Sequence, residues 1–173
     1  MSKPHITPTN KEIVMDTNDF IVSKANTKGI LTYCNEIFID MAGYEEGELL
    51  GKNHNIIRHP DMPKATFKLL WDTITAGKEF FAFVKNMSSC GSFYWVFTHI
   101  SPDYDQSGTI TGYTSVRRAP NRSAIAAITP LYNHMVQAER SGNINTSTQI
   151  LLDFLDQNNI GYEELILSLQ GDI

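Results

Sequence analysis

Chemistry concentrates in one stretch of this chain, Asn53-His54-Asn55-Ile56-Ile57-Arg58-His59-Pro60-Asp61-Met62-Pro63. Two imidazoles, a guanidinium, two amides and a carboxylate sit in a loop ahead of a helix. Arg58 carries a planar fork of donors suited to phosphate or carboxylate. Helix N-termini nearby favour anions. The pyrophosphate of a dinucleotide is one ligand with that chemistry. The competing reading is local: Asp61 caps the helix that Pro63 opens, and Arg58 pairs with it. His59 and Asp61 are also spaced to pair. His54 and His59 alone cannot hold a metal, which would need a distant third ligand such as His99. His5 and His134 have no matching neighbours and read as surface residues.

A second candidate is Asn86, in the run Phe80-Phe81-Ala82-Phe83-Val84-Lys85-Asn86-Met87. Strand alternation puts Phe80, Ala82, Val84 and Asn86 on one face. If that face is internal, the amide needs partners. A flat heterocycle with imide donors and acceptors would supply them. Otherwise the strand end is wet and Asn86 is solvated. Trp71 and Trp95 read more readily as core than as stacking residues. There is no GxSxG, Walker A, GxGxxG or HExxH pattern, so no enzyme class is indicated.

The elements that position these residues follow from periodicity. Residues 1–18 are polar, with one helical turn expected near Lys11–Asp16. A hairpin follows, Phe20–Ala25 and Ile30–Cys34, turning at Asn26–Gly29. Asn35 caps a helix with Ile37, Phe38 and Met41 on one face, and Gly43 ends it. A short helix fits between Gly43 and Gly51. Phe67, Leu70, Trp71 and Ile74 mark the next helix, which Gly77 stops. The period then changes to two over Phe80–Met87, Phe93–Ile100 and Thr109–Val116. The expected fold is α+β, a five-stranded antiparallel sheet with short helices on one face. C-terminal helices follow in 119–173. There Pro130 interrupts an apolar stripe, Thr146 or Ser147 caps a second helix, and Tyr162–Leu169 forms a third. This tail either packs on the core or docks a partner or second copy. The expected domain division is 1–18, 19–118 and 119–173.

Composition narrows the function. With 14 basic and 19 acidic residues the chain carries a net charge of −5, which disfavours a nucleic-acid binder. No apolar run approaches the roughly 18 residues of a membrane span, and no signal-peptide core is visible. A soluble, cytoplasmic protein is expected. Cys34 and Cys90 have no CxxC partner and suggest neither a disulfide framework nor a zinc site.

Residues 20–118 resemble a PAS domain. Asn35-Glu-Ile-Phe38, Ala42-Gly43-Tyr44 and Glu48-Leu-Leu-Gly51 look like the usual PAS run. Asn53 through Lys64, with Ala65, Phe67 and Trp71, is similar to the flavin-binding PAS of bacterial aerotaxis receptors. So are Val84-Lys-Asn86, Gly91 with Tyr94-Trp-Val96, and Ile110 through Arg117. The resemblance implies a non-covalent FAD sensed through its redox state. It implies that Arg58, His59 and Asp61 are needed for binding, that Asn86 meets the isoalloxazine edge, and that Trp71 is the helix tryptophan. His54 and Asn55 of the same loop, and Phe80 where the family often has tryptophan, complete the expected cofactor set. Phe81 departs from the family in adding bulk beside Phe80. Blue-light PAS sensors carry an adduct-forming cysteine where this chain has His54, so adduct photochemistry is not expected.

The receptors continue into a membrane anchor and a signalling domain, whereas this sequence ends at Ile173. The expectation is a stand-alone PAS protein of a bipartite energy-taxis system. Its partner would be a membrane-bound chemoreceptor, with a homodimer also open and no membrane insertion of its own. On this reading a flipped Asn86 amide biases the packing of the N-terminal arm or C-terminal helices. The alternatives are a haem gas sensor using His54 or His59, a cofactor-free docking module, and a flavoenzyme.

Overall fold

The computed structural model of the chain describes residues 6–171. His5 and the rest of residues 1–5, together with residues 172–173, lie outside the described residues. Five antiparallel strands form one sheet: β1 (Ile21–Asn26), β2 (Leu31–Cys34), β3 (Phe80–Met87), β4 (Phe93–Tyr104) and β5 (Ile110–Arg118). Their spatial order is β2-β1-β5-β4-β3. The leading hairpin thus joins the trailing meander by pairing β1 with β5. Between them run the helices α1 (Glu36–Ala42), α2 (Glu46–Leu49), a 3₁₀ turn at His54–Ile57, and α3 (Lys64–Thr75). They cover the inner face of the sheet, as expected for an α+β PAS-like arrangement.

Local chemistry explains the first half. The Asn26 carboxamide accepts from the N–H groups of Lys28 and Ile30, at 2.9 and 3.1 Å, and Gly29 takes φ 76° to close the turn. Asn35 caps α1 by accepting from Phe38 N at 3.1 Å. The same oxygen accepts from Val22 N, so this one residue ties α1 to β1.

Four expectations change. The segment Lys11–Asp16 is not helical. Lys11 and Ile13 exchange backbone hydrogen bonds with Phe93, because the start of β4 offers an open edge there. β4 runs on to Tyr104, since its pairing with β5 continues to Ile110. Pro130 does not interrupt α4 (Arg122–Ser141). It forfeits one backbone bond, but buried Ile128, Leu131 and Tyr132 pin the helix on both sides of it. The helix α5 (Ile144–Gln157) is capped by Asn143, which accepts from the N–H groups of Asn145 and Thr146.

The C-terminal helices pack on the core. Tyr132 of α4 donates its hydroxyl to the Phe83 carbonyl on the outer edge of β3, at 3.0 Å, and its ring stacks against Trp95. Tyr162, at the start of α6 (Tyr162–Gln170), stacks on Phe80 with ring centres 5.4 Å apart. Gln170 accepts from Asn121 N, closing the extension onto the linker after β5. His134 is exposed, as expected, and Trp95 is buried. Among the described residues no helix is long and apolar enough to cross a membrane.

Gly112 marks the tightest seam of the sheet. A Cβ there would stand 2.4 Å from the Ala25 carbonyl oxygen of β1. Gly112→Ala is expected to destabilise the chain by about 1–3 kcal/mol, the usual cost of overpacking. Urea unfolding measures it, and an unchanged midpoint would count against this seam.

Candidate functional site

The helices do not fill the space they enclose. A cavity of about 270 Å³ lies between the inner face of the sheet, α3 and the 3₁₀ turn. The sheet contributes Ser23, Val84, Asn86, Thr98, Ser115 and Arg117. Phe67, Leu70, Trp71 and Ile74 come from α3, and Asn53, His54, Asn55 and Arg58 from the loop. The apolar walls suit a flat ring system, and the polar groups are few and convergent.

Arg117 dominates the chemistry. Its side chain is 2% exposed and stacks its guanidinium on Phe38, 4.7 Å from the ring centre. Nη2 donates to the Ser23 hydroxyl, while Nε and Nη1 have no hydrogen-bond partner among the described residues. Among the described residues Arg117 pairs with no carboxylate; the ionisable groups nearest in effect are Tyr94 and Cys34. Burial lowers its pKa to about 10. A buried cation left this way is costly, and the cost falls when an anionic or strongly accepting group enters.

Ser23 relays that charge. Its hydroxyl accepts from Arg117, which leaves the hydroxyl proton for His54 Nε2, 3.1 Å away. Burial, and then the Arg117 charge, lower the His54 pKa to about 3. His54 is therefore a neutral acceptor, with its ring stacked on Phe38. Burial raises the pKa of the Tyr94 phenol, and the Arg117 charge opposes that shift without cancelling it.

Asn86 is 4% exposed, so the wet-strand reading fails. Its backbone bridges to Arg58, and its carboxamide makes no hydrogen bond within the described residues. Arg58 closes the wall beside it, its guanidinium 3.9 Å over the Phe67 ring. Burial lowers the Arg58 pKa and the Glu139 carboxylate opposes that shift. Trp71 is 36% exposed at the rim, edge-on to Tyr113, rather than core.

Three expected site residues do not line this cavity. His59 is buried behind the loop, its Nδ1 accepting from Asp61 N at 3.0 Å. It lines a second hollow instead. Asp61 turns to the edge of β3, where Lys85 Nζ donates to it at 2.8 Å, so it neither caps α3 nor faces the cavity. Burial raises its pKa, but Lys85, His59 and Arg140 outweigh that and hold it below the ordinary carboxyl range. Phe80 shares the inner face but lies under Tyr162. Phe81 points to the outer face and stacks on His99, ring centres 4.5 Å apart, so its bulk stays out of the cavity. His99 pairs with Glu79 there. Among the described residues no three metal-ligating groups cluster. The sequence analysis assigns no role to Arg117 or Ser23; alternation of Arg117 with Ser115 and Tyr113 along β5 is the signal that could have found Arg117.

The sequence profile of the PAS fold matches residues 31–117. The aerotaxis receptor of Escherichia coli (strain K12) is 35% identical over 144 residues, 83% of this chain and 28% of the receptor. The bacterioopsin transcriptional activator of Halobacterium salinarum is 31% identical over 83 residues, 48% of this chain and 12% of the activator. The chain thus spans less than a third of the length of these relatives. A solved light-oxygen-voltage domain, studied with a flavin analogue, superposes with a TM-score of 0.56 at 20% identity. It covers 64% of this chain and 83% of that one. The light state of the blue-light photoreceptor Aureochrome1 LOV gives 0.54 at 18% identity, over 72% and 92%. At these identities the structures show the shared fold.

The His54 environment sets a pH dependence. The folded pKa of about 3 lies below the ordinary 6.5. As pH falls from about 6.5 toward 3, the unfolded chain takes a proton that folded His54 refuses. Stability is therefore complete above that window and falls inside it, by up to about 1.4 kcal/mol per pH unit. Urea midpoints between pH 7 and pH 4 are expected to drop less steeply in His54→Gln than in the parent chain.

Proposed function

The chain belongs to the PAS fold family, and from that premise we propose that it is a sensor holding FAD non-covalently and reporting redox or oxygen state to a signalling partner. The observation that carries this reading is the buried Arg117, a lining residue of the cavity, with two donor nitrogens unpartnered among the described residues. A bound flavin supplies a reversible redox couple whose ring edge offers imide donors and acceptors and gains negative charge on reduction. Arg117 would stabilise that charge, and neutral His54 would keep an acceptor near it without a competing cation. The Asn86 carboxamide, able to donate and accept, would satisfy the ring edge and reorient when its protonation changes. A cavity of about 270 Å³ admits the ring system alone. The phosphates would then lie toward Arg58 and Asn55 at its wall.

The output would pass along β3. Asn86 neighbours Lys85, which grips Asp61, and its backbone bridges to Arg58. The hairpin beyond it carries Gly91 and Phe93, which bind the arm through Thr9 and Ile13. A partner that distinguishes two packings of these segments would read the cofactor. A membrane-bound chemoreceptor is the proposed partner, with this chain acting from the cytoplasm. In this proposal residues 19–118 sense, and the flanking segments report. The family resemblance of Arg58, His59 and Asp61 supports FAD, with His59 and Asp61 acting through the packing of the loop. Haem is less well served: the Nε2 of His54 is engaged by Ser23 and His59 faces away from the cavity.

Four measurements test the proposal. The freshly purified chain is expected to show two flavin absorption bands and to release FAD on heating; a Soret band, or a colourless chain that refuses added flavin, would overturn it. Arg117→Met is expected to lose flavin at least tenfold while gaining stability without ligand, because it removes an unpaired buried charge. Asn86→Ala is expected to retain FAD and to uncouple its redox state from partner binding. Persistent coupling in that variant would exclude the Asn86 route. With no cysteine among the cavity's described lining residues, blue light is expected to leave the flavin spectrum without an adduct.

A further inference from the structure

The helix α3 lacks a capping side chain of its own. Pro63 precedes it and offers no side-chain hydrogen bond, and Asp61 is held by Lys85. The first N–H groups of a helix must nevertheless find acceptors. They find them 75 residues away. The two carboxylate oxygens of Glu139, near the end of α4, accept from Lys64 N at 2.8 Å and Ala65 N at 2.9 Å. A carboxylate at a helix N-terminus also meets the positive end of the helix dipole.

Glu139 also acts on a residue of the cavity wall. It is the charge that opposes the burial of Arg58. Arg58 lies over Phe67, which belongs to the first turn of α3, so the position of α3 sets the position of Arg58. A second hollow of about 650 Å³ lies between the arm, the Arg58–Lys64 segment and the end of α4, and Arg58 lines both this hollow and the cavity. Glu139 stands on the far side of that partition, with Lys64 and Arg140 beside it.

We infer that Glu139 is a positioning residue of the cavity: from α4 it fixes the start of α3 and holds Arg58 in the wall. The C-terminal helices are thereby a part of the ligand site, although none of their side chains lines the cavity. Coupling of this kind is reciprocal. What fills the cavity steadies α4, and what displaces α4 loosens the ligand. The inference rests on the flavin proposal only for its choice of probe.

The test uses the full chain with FAD as the probe. Glu139→Ala is expected to weaken FAD about tenfold, and Glu139→Gln, which keeps one acceptor, by less. In an Arg58→Ala background the Glu139→Ala effect is expected to shrink below threefold. An equal factor in both backgrounds would mean general destabilisation and would overturn the inference. FAD is also expected to slow amide exchange across α4 in the parent chain and not in Glu139→Ala; α4 exchange indifferent to FAD overturns it too. A ligand-free readout separates this from failure of the flavin proposal. Glu139→Ala is expected to speed exchange at Lys64 and Ala65 and to shift the Arg58 Nε–H resonance. If both stay as in the parent chain, the inference fails even where FAD binds. If both move while no flavin binds, it stands and the flavin proposal falls.

Discussion

A guanidinium buried against the inner face of a β-sheet, with no carboxylate beside it among the described residues, organises this molecule. Arg117 is held from below by the Phe38 ring and from one side by Ser23. Burial, reinforced by the Arg117 charge, keeps the adjacent imidazole neutral, and two of the guanidinium's own buried donors find no hydrogen-bond partner among the described residues. Core packing alone would replace such a residue with an apolar one of similar volume and gain stability. Its presence is intelligible as a stored cost that a ligand relieves. That suits a ligand which brings negative charge or strong acceptors to the cavity, as the proposed flavin would.

The second organising feature is the treatment of edge strand β3. An open edge invites pairing with other chains. Here the edge is covered along its length by different segments. Arg58 bridges to Asn86, Met62 Sδ accepts from Lys85 N, and Tyr132 donates to Phe83. These covers come from the chemically dense loop and from the C-terminal helix. The strand carrying the cavity amide therefore touches both the polar loop and the C-terminal helix. Glu139 closes the same circuit from the other side, through the start of α3.

Much of this was legible along the chain. The period-two runs, the Asn26–Gly29 turn, the Asn35 cap and the glycine stops are local events decided within a few residues. They placed five strands and the central helices, and alternation placed Asn86 on one face with Phe80, Ala82 and Val84. The density of polar chemistry singled out the loop, and the resemblance tied it to flavin. Less legible were Lys11–Asp16, which reads helical yet pairs with Phe93, and Pro130, which reads as a break yet sits within a continuous helix. In both cases a distant surface outweighed the local preference.

By itself, then, the sequence determined the elements, their order and the presence of a polar loop before α3, because turns, caps and periodicity act over short range. Only the tertiary structure decided which polar residues share a cavity. Arg58, His59 and Asp61 are near neighbours in sequence but face three ways: the cavity wall, a second hollow and the β3 edge. Arg117, Ser23 and His54 are far apart and form one hydrogen-bonded chain. Partners across a sheet are chosen by strand register, and a helix start can be capped from 75 residues away. Those choices belong to the closed fold, where each buried donor must take whichever acceptor the packing brings within reach.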